Sequence, residues 1–219
     1  MRQCFYDFYR VSFFSLLIFI VTINDCRAGG IKTGPVQAWV KPVTAELDAI
    51  VPTFQADYGF YYLLNDYQIN VATGDYFIHQ TEKVINQSGA ESCSQLKLYY
   101  DKAFESIIVH FVNVIRNGKV VHTYDASKIK LVQQAKAMEE LQYDEKMTGM
   151  YFIEDVQAGD VIDFAYTLNI VNPLFKKFNG SFDFQFAAPV HNMFYRLIIP
   201  DNRKLQTKYF LNAPHADEK

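Results

Sequence analysis

An Asn-Gly pair between two strand-like segments is the feature that most constrains the fold of this chain. Asn117 and Gly118 lie between residues 106–115 and residues 120–124, and both flanking segments are rich in β-branched residues. Asn-Gly readily adopts the positive φ angles that a two-residue hairpin turn requires. The pattern therefore predicts a β-hairpin around this pair.

Strand-like segments recur along most of the chain, separated by Gly, Pro, Asn, Asp or Ser. They predict strands at residues 67–72, 76–85, 95–100, 106–115, 120–124, 150–156, 161–171, 181–186, 190–199 and 205–211. Residues 131–143 contain good helix formers and lack Gly and Pro, and residues 44–50 begin with Thr44, a suitable N-cap, so both segments are predicted as helices. The predicted fold class is mainly β: an antiparallel β-sandwich or strongly curved sheet with one or two short helices.

The first 28 residues are typical of a secretory signal peptide. An apolar run at residues 11–23 follows a basic start, and small residues precede a predicted cleavage between Ala28 and Gly29. An uncleaved membrane anchor would need about 20 apolar residues, and the run at residues 11–23 is shorter than that. A lipoprotein leader would acylate Cys26, but Asn24 and Asp25 precede that cysteine where small residues are expected. The leader predicts export to the periplasm or the extracellular space.

Removal of the leader leaves Cys93 as the one remaining cysteine, so the exported chain depends on its hydrophobic core and not on an internal disulfide. We expect an extended N-terminal arm at residues 29–60, a single β-rich domain at 61–212 and a disordered tail at 213–219. The net charge is −3 without a basic block. This charge argues against nucleic acid as a partner and, once the leader is removed, against a membrane surface.

Four segments resemble one known family, the domain of unknown function 3857. They are the strand at residues 67–71, the hairpin at 112–120, the turn and strand at 156–166, and Pro189-Val190 leading into a strand that ends at Pro200. The resemblance spans roughly residues 61–210 and implies a fold without implying a chemistry.

Members of this family are exported bacterial proteins, and the domain usually precedes a transglutaminase-like cysteine-peptidase domain. The present sequence ends at Lys219 without that catalytic domain. The resemblance therefore implies an accessory role beside a separate transglutaminase-like or peptidase partner. No catalytic residue is carried over.

Candidate catalytic residues are few. Cys93 precedes His110 and His122, a nucleophile with two conceivable bases, but Cys93 lies between predicted strands without a long helix that would activate it. A structural role is favoured for all three residues, and an enzyme with a nonstandard Cys93 site remains an alternative.

Four carboxylates near the end of the predicted helix are better explained as a solvated face than as a cation site: Glu139, Glu140, Asp144 and Glu145. Neither a metal nor a cofactor is predicted.

Aromatic residues provide the clearest candidate for a binding surface. Phe182, Phe184 and Phe186 alternate along a predicted strand and should share one face, most simply in the sandwich core. A second group, represented by Tyr58, Tyr61 and Tyr62, is the better candidate for a surface, because tyrosine suits partly wet contacts.

The sequence thus predicts an exported, non-catalytic binding or accessory module. Its expected partner is an exported protein or an envelope glycan or peptide. A self-associating structural protein of the envelope is a further alternative, which an unpaired strand edge would favour.

Overall fold

The computed structural model describes residues 29–50, 57–133, 146–171 and 178–217. Within these ranges there are ten strands and one α-helix. In chain order they are β1 (Ile31–Thr33), β2 (Phe60–Asn70), β3 (Asp75–Val84), α1 (Gln87–Cys93), β4 (Gln95–Asp101), β5 (Glu105–Arg116), β6 (Lys119–His122), β7 (Lys130–Gln133), β8 (Lys146–Phe152), β9 (Val161–Ile170) and β10 (Val190–Ile198), with a 3-10 turn at Ala126–Lys128. None of the described helices is long and apolar enough to cross a membrane.

The strands form two sheets. The larger one has the order β1-β5-β9-β3-β2-β10, with β6 also paired to β5, and the smaller one has the order β4-β8-β7. Most neighbours are antiparallel, but β1 pairs with β5 and β10 pairs with β2 in parallel. The predicted mainly β class is confirmed. The larger sheet is mixed and not purely antiparallel, since β1 and β10 join it in parallel at its outer edges, whereas the smaller sheet is antiparallel.

The hydrophobic core lies between the two sheets. Ile107 and Val109 of β5 are fully buried, as are Leu98 of β4 and Tyr151 of β8. These four side chains belong to one continuous cluster. Burying an aliphatic or aromatic side chain of this size stabilises a fold by roughly 1.5–3 kcal/mol, so this cluster provides the main cohesion between the sheets.

The predicted hairpin is confirmed. β5 and β6 pair in antiparallel register, with Arg116 opposite Lys119. Asn117 has φ 51° and Gly118 has φ 72°, so both turn residues adopt the left-handed conformation that this dipeptide tolerates best.

Helix α1 was not predicted from the sequence. Its N-cap is Asn86, whose side chain accepts a hydrogen bond from the Gly89 N–H at 3.1 Å. Gly89 packs directly on Gly59, because a Cβ at position 89 would lie 1.8 Å from the Gly59 carbonyl oxygen. The helix is short, and close packing against the start of β2 compensates for its weak intrinsic stability.

Both predicted helices need correction. Residues 131–133 belong to strand β7, where Val132 pairs with Thr148 of β8, and the rest of the predicted 131–143 helix lies outside the described residues. Helix propensity is a weak preference that pairing with a neighbouring strand overrides. Residues 44–50 form no helix and contain a turn at residues 47–48.

Two predicted strands are absent. Residues 181–186 and 205–211 are irregular, although residues 181–186 alternate polar and apolar side chains. A strand requires a neighbour for its backbone groups, and neither segment pairs with a described strand. In addition, β2 begins at Phe60, well before the strand predicted at 67–72.

Residues 34–50 cross the face of the larger sheet that points away from the smaller sheet. Val40 of this segment packs with Phe77 of β3 and Ala165 of β9. One face of the larger sheet is therefore covered by the smaller sheet and the other face by residues 34–50. The aromatic residues discussed next lie on the same face as the main core.

Candidate functional site

A chain of aromatic contacts begins at the start of β2. Tyr58 contacts Phe60 with ring centroids 6.5 Å apart, Phe60 contacts Tyr62 at 5.4 Å, and Tyr62 contacts Phe186 at 6.1 Å. Tyr58 is 53% exposed and Phe186 is 38% exposed. We call Tyr58, Tyr62 and Phe186 the aromatic surface.

A second aromatic group continues from there across β2 and β10. Tyr195 stacks on Phe182 at 4.9 Å and meets Phe184 edge-on at 5.1 Å. Tyr67 lies edge-on to both Phe182 and Tyr195. Burial raises the pKa of Tyr67 to about 12, so its hydroxyl is neutral in this apolar setting.

Polar groups hold this second group in place. The Gln80 amide donates to Asn65 Oδ1 at 2.9 Å, and the Asn65 amide donates to the Tyr195 hydroxyl at 3.4 Å. The Tyr195 hydroxyl in turn donates to the carbonyl of Asp183. This chain of bonds fixes the irregular segment around residues 182–186 against the sheet without any strand pairing.

Strand β10 lies beside these residues at the edge of the larger sheet. The Val71 N–H donates to the Ile198 carbonyl at 3.0 Å, so that carbonyl points toward β2. Because successive strand residues alternate, the backbone groups of Met193, Tyr195 and Leu197 point to the outer side of the strand. Among the described residues, nothing bonds to that outer side.

The structure separates the three tyrosines proposed from the sequence. Tyr58 and Tyr62 lie on the aromatic surface, whereas Tyr61 points to the opposite face, is 7% exposed and donates its hydroxyl hydrogen to the Ala49 carbonyl at 3.2 Å. Alternation along β2 explains this separation. Sequence reasoning missed Phe186 as a partner of Tyr62, since residues 124 positions apart give no local signal.

The side chains of Phe182, Phe184 and Phe186 lie on one side of their segment, as their alternation in the sequence predicts. All three contact aromatic residues of β2 and β10. They do not belong to the buried cluster between the two sheets. They contact Tyr62, Tyr67 and Tyr195 on β2 and β10 instead. In this position Phe182 and Phe184 are half-buried and Phe186 is exposed.

Cys93 is buried at the end of α1. Burial and the neighbouring Glu82 raise the pKa of its thiol. Burial raises the pKa of Glu82 to about 7, although its hydrogen bond with Cys93 opposes this shift. A buried thiol with a raised pKa is a poor nucleophile because it is rarely ionised.

The two histidines proposed as bases have other partners. His110 Nδ1 lies 2.8 Å from the Gly34 carbonyl oxygen, and Nε2 lies 2.9 Å from Thr167 Oγ1. His122 Nε2 lies 3.0 Å from the Tyr151 hydroxyl. Both rings are directed to groups other than Cys93, so the structure does not bring the proposed trio together.

Other sequence candidates lie partly outside the described residues. This is the case for Ala28 and for the four carboxylates Glu139, Glu140, Asp144 and Glu145. Gly29 is described, and its N–H donates to the Lys102 carbonyl at 3.0 Å. Within the described ranges, no group of three His, Cys, Asp or Glu residues is arranged to hold a metal ion.

Together, the fold and the aromatic surface define a two-sheet β module in which none of the strands that the structure describes pairs with the outer side of β10. The model of a family described as a domain of unknown function with solved structure, DUF3857, matches residues 70–219. The match includes more than half of the sequence, and the chain belongs to the DUF3857 family.

One solved structure with limited similarity is a crystal structure at 2.00 Å resolution from Parabacteroides distasonis ATCC 8503, which carries the name "putative protease". It is 12% identical to this chain, with a TM-score of 0.46, a level of similarity that carries no argument about activity. The match covers 54% of this chain and 24% of that protein, so it spans about a quarter of that protein's length. No curated protein matches the chain.

Proposed function

We propose that this DUF3857 chain is an exported, non-catalytic accessory module that docks onto another exported protein. The observation that carries this proposal is that no strand among the described residues pairs with the outer side of β10, next to the aromatic surface. The leader at residues 1–28 supports export, and the family's usual neighbour supports a transglutaminase-like or peptidase partner.

The outer side of β10 has the chemistry to pair with a strand of another protein. β10 is nine residues long and contains a single Lys, Arg, Asp or Glu residue, Arg196. Long, weakly charged edges recruit strands, and natural proteins usually shorten, charge or cover them. The opposite edge of the sheet is protected by shortness, because its edge strand β1 has only three residues. A partner strand added at β10 would gain main-chain hydrogen bonds through Met193, Tyr195 and Leu197.

The aromatic surface would give this docking its specificity. Tyr58 and Phe186 are exposed, and Tyr62 contacts Phe186 directly and Tyr58 through Phe60. Aromatic residues contribute large contact areas at interfaces and often dominate the binding energy. Exposed neighbours of an open edge are therefore well placed to select one partner strand.

The side chains with catalytic potential support the non-catalytic part of the proposal. Cys93 is buried and its thiol has a raised pKa, and His110 and His122 are each engaged in other contacts. An accessory role requires no nucleophile in this chain.

Crosslinking in the envelope of the native host tests the proposal. A tagged full-length chain is crosslinked in cells, and its partners are identified by mass spectrometry. We expect one dominant exported protein, with recovery falling at least about tenfold in the double variant Tyr58→Ser/Phe186→Ser, since aromatic anchors often contribute about 2 kcal/mol or more. Tyr99→Ser is the matched control, because Tyr99 is 57% exposed but lies on the smaller sheet.

The results separate the alternatives. Equal recovery of the partner with the double variant and with Tyr99→Ser would show that the aromatic surface is not part of the interface. Recovery of no protein other than the tagged chain itself would contradict the accessory role and favour self-association.

A further inference from the structure

A row of side chains crosses five strands of the larger sheet on the face opposite the aromatic surface. Register and contacts place its members side by side on β5, β9, β3, β2 and β10. We call this set the transverse row, and its members are His110, Thr167, Phe77, Gln68 and Arg196. Residues 34–41, here called the arm segment, run along it.

The central contact is a pair of hydrogen bonds between Gln68 and the main chain of Lys41. The Gln68 Nε2 group donates to the Lys41 carbonyl at 2.7 Å, and the Lys41 N–H donates to Gln68 Oε1 at 2.9 Å. In this geometry the side-chain amide donates to a backbone carbonyl and accepts from a backbone N–H, as the backbone of a neighbouring strand would. The interaction therefore depends on the backbone of the arm segment and not on its side chain.

Two other members of the row also contact main-chain oxygens. Arg196 donates from Nη1 to the Trp39 carbonyl at 2.7 Å. His110 Nδ1 lies 2.8 Å from the Gly34 carbonyl oxygen, which can only accept, so Nδ1 is the donor. Burial lowers the pKa of His110, which keeps the ring neutral near pH 7.

Burial shows that the row is complementary to a bound segment. Gln68 and Thr167 are both 0% exposed, although both are polar. The Thr167 hydroxyl bonds to the Gln37 side chain of the arm segment at 2.8 Å. A polar group that is buried without a partner costs about 1–3 kcal/mol, so a segment that covers this face must supply hydrogen bonds to Gln68 and Thr167.

The arm segment owes its conformation to the row. Within the segment, one backbone hydrogen bond joins the Val40 N–H to the Gln37 carbonyl at 3.1 Å. Val40 is 8% exposed and packs with Phe77. The Trp39 Nε1 group is buried and has no hydrogen-bond partner among the described residues.

We propose that the transverse row is a docking site for an extended peptide and that the arm segment of a second copy of this chain occupies it by exchange. The row contacts the main chain, so it accepts a segment from either source. Gln37 and Val40 match Thr167 and Phe77, and a second copy supplies both residues in the same order. The hydrogen bonds that open within one chain re-form between two chains, so exchange increases with protein concentration.

A complementation experiment tests this proposal on the full chain. The variant Val40→Asp has a weakened arm segment and an intact row, whereas Gln68→Ala has an intact arm segment and a weakened row. We expect each variant alone to sediment as a monomer and their mixture to form a complex of two chains. Circular dichroism confirms that both variants are folded, and Trp39→Ala and Arg196→Ala replace any variant that is not.

A labelled synthetic peptide of residues 34–50 provides the second measurement. We expect it to bind Val40→Asp about tenfold or more tightly than it binds Gln68→Ala, since the latter loses both hydrogen bonds to Lys41. A peptide with the same composition in scrambled order is the control. Peptide binding without a mixed complex would overturn the second copy as occupant. Failure of both measurements would overturn the docking site itself, whatever the fate of the aromatic surface.

Discussion

Arg116 and Asp160 form a two-bonded ion pair that ties the β5–β6 hairpin to the turn before β9. Arg116 Nε donates to Asp160 Oδ1 at 2.8 Å, and Nη2 donates to Oδ2 at 2.9 Å. The Asp160 residue is 1% exposed. Burial alone would raise the pKa of Asp160, but Arg116 and the Gln157 N–H hold it below its ordinary value.

Replacing Arg116 with Ala should destabilise the fold by about 3 kcal/mol, because Asp160 would remain buried without its partner. Urea denaturation at neutral pH measures this loss. The Lys128→Ala variant is the control, since Lys128 and Glu154 form an exposed pair, and such pairs contribute about 0–1 kcal/mol. Equal losses of unfolding free energy in both variants would show that the buried Arg116–Asp160 pair stabilises the fold no more than an exposed pair does.

Asp66 should make the protein less stable as the pH rises from about 4 to about 6. Burial raises its pKa to about 6, although Gln68 and His79 oppose this shift. The folded state therefore holds the proton more tightly than the unfolded state. Stability from this group is fully present below about pH 4 and is lost by roughly 2–3 kcal/mol above pH 6.

Denaturation midpoints of Asp66→Asn between pH 4 and pH 8 check this expectation. The variant should show a flatter profile than the parent, and Glu82 should still give a decline of comparable size up to about pH 7. Asp201→Asn, at an exposed position, should keep the parental profile. A parental profile in Asp66→Asn would contradict the prediction.

Gly89→Ala should destabilise the protein although alanine is the better helix former. A Cβ at this position would lie 1.8 Å from the Gly59 carbonyl oxygen, so α1 would have to move away from β2. Helix propensity favours alanine by about 1 kcal/mol, and we expect displacement of the packed helix to exceed this gain and give a net loss of about 2 kcal/mol. Thermal unfolding measures the change, with the exposed neighbour Ser88→Ala expected to be close to neutral.

The thiol of Cys93 should react slowly with iodoacetamide at pH 7.5 in the native protein and rapidly in urea. It is 5% exposed, and burial together with Glu82 raises its pKa. Mass spectrometry over time gives both rates. A native rate equal to or above that of a free thiol would revive the alternative of an enzyme that uses Cys93.

Expression in the native host should yield a mature chain that begins at Gly29. Small residues before the cleavage position support this site. Intact mass measurement distinguishes the alternatives, because an uncleaved anchor retains the leader mass and a lipoprotein begins at an acylated Cys26.

Several parts of the fold could be predicted from local sequence. The Asn117-Gly118 turn and strand β9 follow from residue preferences that act over a few positions. The candidate surface was only partly accessible, since alternation along β2 separates Tyr61 from Tyr62 but does not show which face is exposed.

Where local preference and long-range pairing disagree, pairing decided the outcome. Leu131 favours a helix by composition but lies in β7, where it pairs with Gly149 of β8. Helix α1 arises from the capping side chain of Asn86 and from the close packing of Gly89 on Gly59. Packing between residues 30 positions apart has no signature in either local segment.

The sequence by itself determined that this chain is mainly β, that a hairpin turns at Asn117-Gly118, and that its strand motifs resemble those of the DUF3857 family. Only the tertiary structure decided that Phe186 contacts Tyr62, that β10 is an edge strand among the described strands, and that Gln68 bonds to the main chain of Lys41. Turn and strand preferences are properties of neighbouring residues. The order of strands in a sheet, by contrast, depends on which distant surfaces bury one another best, and that balance exists only in the folded chain.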